Sequence, residues 1–182
     1  KDLRLYHNGT DSFINNNTGD LNIVNLAADK DILFKADDGS GGLATYFYLD
    51  GSVADGTNRY TAFPDNSRLR FGTNLDLDIH HDGSNSFISQ TGTGNLNIQQ
   101  TVDDGDIIFK CDDGSGGTTQ YFRLDGGEAL TIFSFNTRHS DGVFARFGDG
   151  NDFNIAHDGT DTLLQNNTGH LDIKNDSNGS DI

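Results

Sequence analysis

The sequence is short of the residues that build helices. Of its 28 acidic side chains, 27 are Asp and only Glu128 is Glu, and it has one Pro, no Met and no Trp. Together 27 Asp, 19 Asn and 23 Gly residues fill 69 of the 182 positions. All three residue types are poor in helix interiors, because Asp and Asn bond to the local backbone and Gly loses the most chain entropy. The composition therefore argues against an all-α fold.

Other absences argue against particular partners and against cysteine-based sites. Twelve Lys and Arg residues against 28 acids give a net charge of −16, which argues against nucleic acid because that partner needs a basic footprint. No run of about 18 apolar residues occurs, so no membrane insertion is expected. The single cysteine, Cys111, excludes an internal disulfide framework and a Cys-based zinc cluster. It aligns with Ala36 in the repeat described below, and we predict a small buried core residue there.

The apolar residues that are present follow the period of β-strands. They make up 33% of the chain and cluster in short alternating runs, such as LDLDI at 75–79 and DIIFK at 106–110. Asp-Gly and Asn-Gly pairs between such runs predict hairpins, because hairpin turns require positive φ angles. In the middle part of the chain this pattern predicts seven strands, over residues 68–72, 75–81, 85–90, 94–100, 106–111, 119–125 and 128–135. Alternation places Leu77, Ile79 and His81 on one face and predicts that Asp78, like Asn154, faces solvent.

A repeat of about 75 residues organises the whole sequence. LRLYHNGTDSFINNNTGDLNI at 3–23 returns at 77–98 and again at 153–173, and DILFKADDGSGG at 31–42 returns at 106–117. We divide the chain into repeat unit 1 (1–67), repeat unit 2 (68–142) and a partial unit 3 (143–182). The last unit stops where a strand is expected, and the chain starts with Lys1 instead of Met. We therefore expect a piece of a longer protein.

The histidine that ends the first apolar strand of each repeat is a candidate metal ligand. These residues are His7, His81 and His157, spaced by 74 and 76 residues. If three copies of the chain associate around an axis, each histidine meets its own copies, and three imidazoles can bind a transition metal. The alternative is a histidine that closes the strand by hydrogen bonding to the following turn.

Calcium is the second candidate ligand, because Asp-rich and Gly-rich turns supply hard oxygen ligands. The best local match is FGDGNDFNI at 147–155, with Asp149 and Asp152 as the candidate calcium ligands. The doublets at 37–38 and 112–113, each before GSGG, are alternatives. No bidentate Glu completes an EF-hand loop, so no cofactor is required by the sequence.

We do not expect an enzyme. Carboxylate pairs that could carry acid–base hydrolysis occur throughout the chain. The segment 138–141 (Arg-His-Ser-Asp) holds triad residue types, but adjacent residues cannot converge as a triad requires. The repeats keep the same polar residues in register, which is typical of a scaffold.

The repeat resembles those of tail fibres and other structural proteins of marine bacteriophages. The resemblance rests on FGDGNDFNIAHDGTDTLLQNNTGHLDI at 147–173 and its counterparts at 71–98 and 3–23, which follow the phrase FGDxxDLxIxHDGxxSxIxxxTGxLxI of that family. It implies a virion appendage, a homotrimeric fibre, and recognition of the host at its distal parts.

The sequence thus predicts an all-β, repetitive strand fibre, built as a β-prism or meander or as a β-solenoid, and associated as an intertwined or parallel homotrimer. The predicted function is a structural segment of an extracellular viral fibre that spaces, stiffens and contacts host surface glycans. A calcium-stabilised bacterial β-solenoid adhesin is the alternative, and a polysaccharide-degrading β-helix is the second alternative.

Overall fold

The protein is all-β, as the sequence predicts. The computed structural model describes residues 2–174, and this part of the chain contains fourteen strands and no helix. The strands are β1 Leu3–His7, β2 Ser12–Asn16, β3 Ile32–Asp37, β4 Leu43–Asp50, β5 Tyr60–Ala62, β6 Leu69–Phe71, β7 Leu77–His81, β8 Ser86–Gln90, β9 Ile107–Asp112, β10 Thr118–Asp125, β11 Leu130–Phe133, β12 Ala145–Phe147, β13 Phe153–His157 and β14 Thr162–Asn166.

The strands form five small antiparallel sheets, divided between two compact units. Residues 1–97 hold the β1–β2 hairpin and the three-stranded sheets β3–β4–β5 and β6–β7–β8, whereas residues 98–182 hold β9–β10–β11 and β12–β13–β14. Every sheet of three strands is a meander in which chain neighbours pair. The repeat boundaries at 67/68 and 142/143 are properties of the sequence and stay a prediction.

Each histidine hairpin is closed by a side chain within its own loop. In β7–β8 the pairing runs from Leu77 with Gln90 to His81 with Ser86. The Asp82 carboxylate then accepts hydrogen bonds from the backbone N–H groups of Ser84 (2.9 Å) and Asn85 (2.8 Å), as Asx turns do. Asn8 and Asp158 make the same two bonds in the hairpins β1–β2 and β13–β14. The predicted hairpins are confirmed, and their loops have four residues.

The longer sheets carry rows of stacked aromatic rings, in which Phe63 directly follows β5 and the other rings lie within strands. Phe34 stacks on Phe47 with ring centroids 4.4 Å apart, and Phe47 stacks on Phe63 at 5.8 Å. The second sheet repeats this arrangement in Phe109, Phe122 and Phe133, at 4.3 and 5.9 Å. Such in-register pairs are a main source of cross-strand stabilisation.

The turn that leads into β7 holds a leucine in an unfavourable backbone conformation. Leu75 has φ of 59°, and its counterpart before β13 is Asn151, with φ of 55°. Both turns are closed by the same bond, from Leu75 N–H to the Gly72 carbonyl and from Asn151 N–H to the Gly148 carbonyl. The left-handed region suits Asn and disfavours Leu, because the Cβ atom crowds the following carbonyl oxygen.

Three sequence predictions are wrong for the single chain. Residues 94–100 form no strand, although six of the seven predicted strands of the middle repeat are confirmed within about two residues at each end. Asp78 does not face solvent: it is 3% exposed, and Asn154 is buried in the same way. Cys111 is exposed and not buried, as are all residues of β9 after the first one.

The described residues contain no buried hydrophobic side chain. In β7, Ile79 is 37% exposed while the neighbouring Asp78 is covered. In a soluble monomer the apolar residue would be covered and the charged residue exposed. Globular chains of this length bury a hydrophobic core. The strands are therefore regular, but the single chain leaves their apolar faces open.

Candidate functional site

The three repeated histidines each bond to a hydroxyl on the neighbouring strand. His81 Nδ1 lies 3.1 Å from Ser86 Oγ, and the equivalent pairs are His7 with Ser12 at 3.4 Å and His157 with Thr162 at 3.3 Å. Each pair joins the last residue of one strand to the first residue of the next. A histidine thus closes each strand, although its partner is the following strand and not the turn. The axial metal site of a trimer stays a prediction.

Of the two candidate calcium ligands, Asp152 bonds to the segment that follows β14. The Asp152 carboxylate accepts a hydrogen bond from the Thr168 hydroxyl at 3.0 Å, and its backbone carbonyl accepts one from Asn167 N–H at 2.8 Å. Asp149 lies exposed in the preceding turn. Within residues 2–174 no group of three or more His, Cys, Asp or Glu side chains is arranged to hold a metal ion. Asp149 and Asp152 therefore stay predicted ligands.

The Asp doublets before GSGG hold their own loops. Asp38 Oδ1 accepts hydrogen bonds from the Ser40 hydroxyl (2.7 Å), Ser40 N–H (2.8 Å) and Gly42 N–H (3.0 Å). Asp113 makes the equivalent three bonds to Ser115 and Gly117. The hydrogen bond from the serine hydroxyl, followed by those from the backbone, lowers the pKa of both carboxyls. These oxygens form turns that repeat in sequence and in structure.

The most enclosed charged group is one that the sequence pattern misses. Asp78 Oδ2 accepts hydrogen bonds from Arg70 Nε at 2.8 Å and from Arg68 Nη1 at 3.0 Å, and Oδ1 lies 2.6 Å from His80 Nδ1. His80 in turn stacks on Phe87, with ring centroids 4.8 Å apart. Burial acts to raise the pKa of Asp78, but the bonds from Arg68, Arg70 and His80 outweigh it and lower the pKa to about 2. We call these four polar residues the Asp78 cluster.

The Asp78 cluster joins two neighbouring strands through a carboxylate that is itself covered. Arg70 lies opposite Asp78 in the β6–β7 pairing, and His80 follows on the same face of β7. An ionised carboxylate that already receives three hydrogen bonds is a poor general base. The signal in the sequence is the run RLR at 68–70 before LDLDIHH, which places two cations beside one acid once β6 and β7 pair.

The corresponding position in the last repeat is built differently. Asn154 stands where Asp78 does and is 5% exposed, and its Nδ2 group donates to the Asn151 carbonyl at 3.2 Å. Its Oδ1 atom is buried without a hydrogen-bond partner. Arg146, paired opposite Asn154, lies over the ring of Phe144 at 5.1 Å instead. The cluster is therefore specific to the middle repeat.

The opposite face of each histidine hairpin is uncharged. In-register pairing places the odd-numbered residues of β1, β7 and β13 on one face together with their partners. We call this the uncharged hairpin face. It consists of Leu3, Leu5, His7, Ser12, Ile14 and Asn16 in the first hairpin; Leu69, Phe71, Leu77, Ile79, His81, Ser86, Ile88 and Gln90 in the second; and Ala145, Phe147, Phe153, Ile155, His157, Thr162, Leu164 and Asn166 in the third. Most of its large apolar side chains are more than a third exposed.

No helix of the described residues could cross a membrane. No protein-family model, curated protein or solved structure matches the chain significantly.

Proposed function

We propose that this chain is a structural segment of an extracellular viral fibre, of the tail-fibre type, in which three copies associate in parallel. The observation that carries the proposal is the absence of a buried hydrophobic side chain among the described residues, although fourteen strands are formed. Regular strands that bury no core need other chains to cover them. A non-enzymatic scaffold that spaces, stiffens and contacts host glycans fits this requirement.

The exposed area has the size that such an assembly needs. The chain exposes 14939 Å², whereas two separately folded units of half its mass each are expected to expose about 10,400 Å² in total. The excess is about 4,500 Å², several times the roughly 800 Å² that each partner buries in a standard interface. Extensive contact with other chains accounts for an excess of this size.

The antiparallel pairing supports a meander-based fibre over the other architectures. β-Solenoids and β-helices, the folds of the calcium-stabilised adhesin and of the polysaccharide-degrading enzyme, stack successive coils in parallel. Every strand pair among residues 2–174 is antiparallel. No observation on this chain favours those two functions.

Light scattering coupled to size-exclusion chromatography tests the proposal. We expect a species of three times the chain mass of 19.7 kDa, with a melting temperature that rises with protein concentration, because association stabilises the folded state by mass action. A folded monomer with a concentration-independent melting temperature would refute the fibre proposal. Thermal melts with and without a chelator address the metal predictions in the same material: a large loss of melting temperature would favour a calcium-dependent fold instead.

A further inference from the structure

We propose that the uncharged hairpin face is the surface on which copies of this chain meet. This inference rests on the fibre proposal and names the contact within it. Charged residues are 22% of the chain, yet the 22 positions of this face include no Asp, Glu, Lys or Arg. At the chain average, about five charged residues would be expected on a surface of this size.

Charge selects a second copy as the occupant. Each copy carries −16, and identical surfaces that bear like charges repel one another when desolvated. Two copies can approach closely only where neither bears a charge, which is the case on this face. A basic partner, in contrast, would be attracted to the acidic turns and would gain nothing from a face of Leu, Ile and Phe side chains.

The reverse side of the sheet β6–β7–β8 supports the choice of face. There the Asp78 carboxylate contacts Arg68, Arg70 and His80 of the same chain, so the charged groups at the centre of this side are already paired. Ile79 and Ile88, paired on the uncharged side, stay open. The repeat also suits contact between identical chains, because the same hairpin face occurs three times in the sequence, with its histidines spaced by 74 and 76 residues.

Two neighbouring leucines on opposite faces of β14 provide a matched test. Leu164 pairs with Ile155 on the uncharged face and is 55% exposed, whereas Leu163 pairs with Ala156 on the reverse face and is 39% exposed. We expect Leu164→Asp to weaken association at least about 100-fold, because it brings like charges together. Leu163→Asp should associate within about threefold of the wild type, since most exposed substitutions change little. The readout is the dissociation constant from sedimentation equilibrium.

Mixing experiments separate lost contact from lost folding. Leu164→Asp and Leu164→Lys chains, each impaired alone, should associate when refolded together, because opposite charges then meet at the same level. A trimeric wild type with equal losses in Leu163→Asp and Leu164→Asp, or with no rescue on mixing, would refute the face and leave the fibre proposal standing. A monomeric wild type would refute both.

A second inference comes from segments that look like strands but have no partner. We infer that residues 20–24, 95–99 and 170–174 pair with strands of another copy. Each follows the TG element of its repeat and alternates Leu and Ile with polar residues: LNI, LNI and LDI. Their six Leu and Ile side chains are between 42% and 63% exposed. No backbone hydrogen bond involves these segments within the described residues.

The recurrence of this arrangement argues for a strand completed from outside the chain. A row of unpaired N–H and C=O groups on an alternating segment is a template for pairing with another chain. A loop does not require alternating apolar residues, yet the segments of all three repeats have them. Another copy of the chain carries the same three segments with the same unpaired groups, so each segment can pair with its counterpart in that copy.

Hydrogen exchange measured on the assembled protein tests this inference. At least two amides of residues 95–99 should exchange about 100-fold or more slowly than those of Thr73 and Asn74, which lie in an exposed turn, because a ladder bond must open first. Equal exchange rates in a protein shown to be trimeric would refute interchain pairing and leave the fibre proposal intact. A monomer would refute both proposals.

Discussion

Replacing Leu75 with asparagine should stabilise the protein. Leu75 has φ of 59°, and the left-handed conformation costs an L-residue about 1–2 kcal/mol, a cost that Asn reduces by local hydrogen bonding. Asn151 shows that the same turn accepts Asn, with φ of 55° and the same closing bond. We therefore expect Leu75→Asn to gain about 1 kcal/mol in the free energy of unfolding. This corresponds to a rise of about 2–4 °C in melting temperature for a chain of this size.

The reciprocal substitution and a matched control isolate the backbone contribution. Asn151→Leu should lose a similar free energy, whereas Leu26→Asn, at an almost fully exposed position outside the left-handed region, should change the melting temperature by less than about 1 °C. All variants are melted at one protomer concentration, because the proposed association would make the melting temperature depend on concentration. The reasoning would be refuted if Leu75→Asn destabilised the protein and Asn151→Leu stabilised it, since side-chain burial would then outweigh backbone strain.

Three further predictions follow from the turns and the charges. Gly126→Ala should lower the free energy of unfolding by about 1–3 kcal/mol, because the added Cβ would overlap the Gly105 carbonyl. In Gly127→Ala the nearest atom to the added Cβ is 3.5 Å away, so the free energy of unfolding should change by less than about 0.5 kcal/mol. Denaturant titration measures both, and equal losses would contradict the contact argument. The pKa of Asp78 is lowered from 3.8 to about 2, so its ionised form stabilises the fold above pH 3.8 and this contribution is lost as the pH falls towards 2. The Asp78→Asn variant should therefore be less stable than the wild type at neutral pH, but should lose less stability between pH 3.8 and about 2. Plots of unfolding free energy against pH that run parallel for variant and wild type would count against the cluster. The proposed trimer would carry −48 in total, three times the −16 of one chain. Its melting temperature or assembly should therefore rise between roughly 10 mM and 0.5 M NaCl, as the Debye length shortens from about 30 Å to a few Å, and a flat response would contradict self-repulsion.

Local turn chemistry makes the hairpins predictable from the sequence. The pairs at 8–9, 82–83 and 158–159 couple an Asn or Asp side chain, which accepts the loop N–H groups, to a glycine with φ between 95° and 105°. Both requirements lie within four residues of the chain. No distant contact is needed to satisfy them, so the sequence pattern suffices.

The errors arise where the outcome depends on residues far along the chain. Alternation with apolar residues predicts that Asp78 faces solvent, but Arg68 and Arg70 cover it once β6 and β7 pair. The segment 94–100 has strand periodicity, yet periodicity reports a tendency to pair and not the presence of a partner. Alignment with Ala36 predicts a buried Cys111, but this presupposes a hydrophobic core, and the described residues contain none.

The candidate ligands show the same limit. Repetition singles out His7, His81 and His157, and the structure gives each a hydroxyl partner on the next strand. Whether they approach one another depends on the contacts between chains, which neither the pattern nor a single copy contains. The Asp78 cluster, in contrast, needs only two neighbouring strands, and the spacing of RLR and LDLDIHH would have indicated it.

The closure of each hairpin by its own loop has a consequence for how the protein reaches its native state. The widest strand pairs, such as Ile32 with Leu49, are only 17 residues apart in the chain, so the conformational search within one copy is short and the loop-closure entropy is small. A lone two- or three-stranded sheet is nonetheless marginal in water, where hairpins form within about 1–10 μs and reopen. If three copies associate as proposed, folding would be limited by encounter between copies, and its rate would grow with protein concentration. Synthesis that keeps copies of the chain close together would then speed assembly.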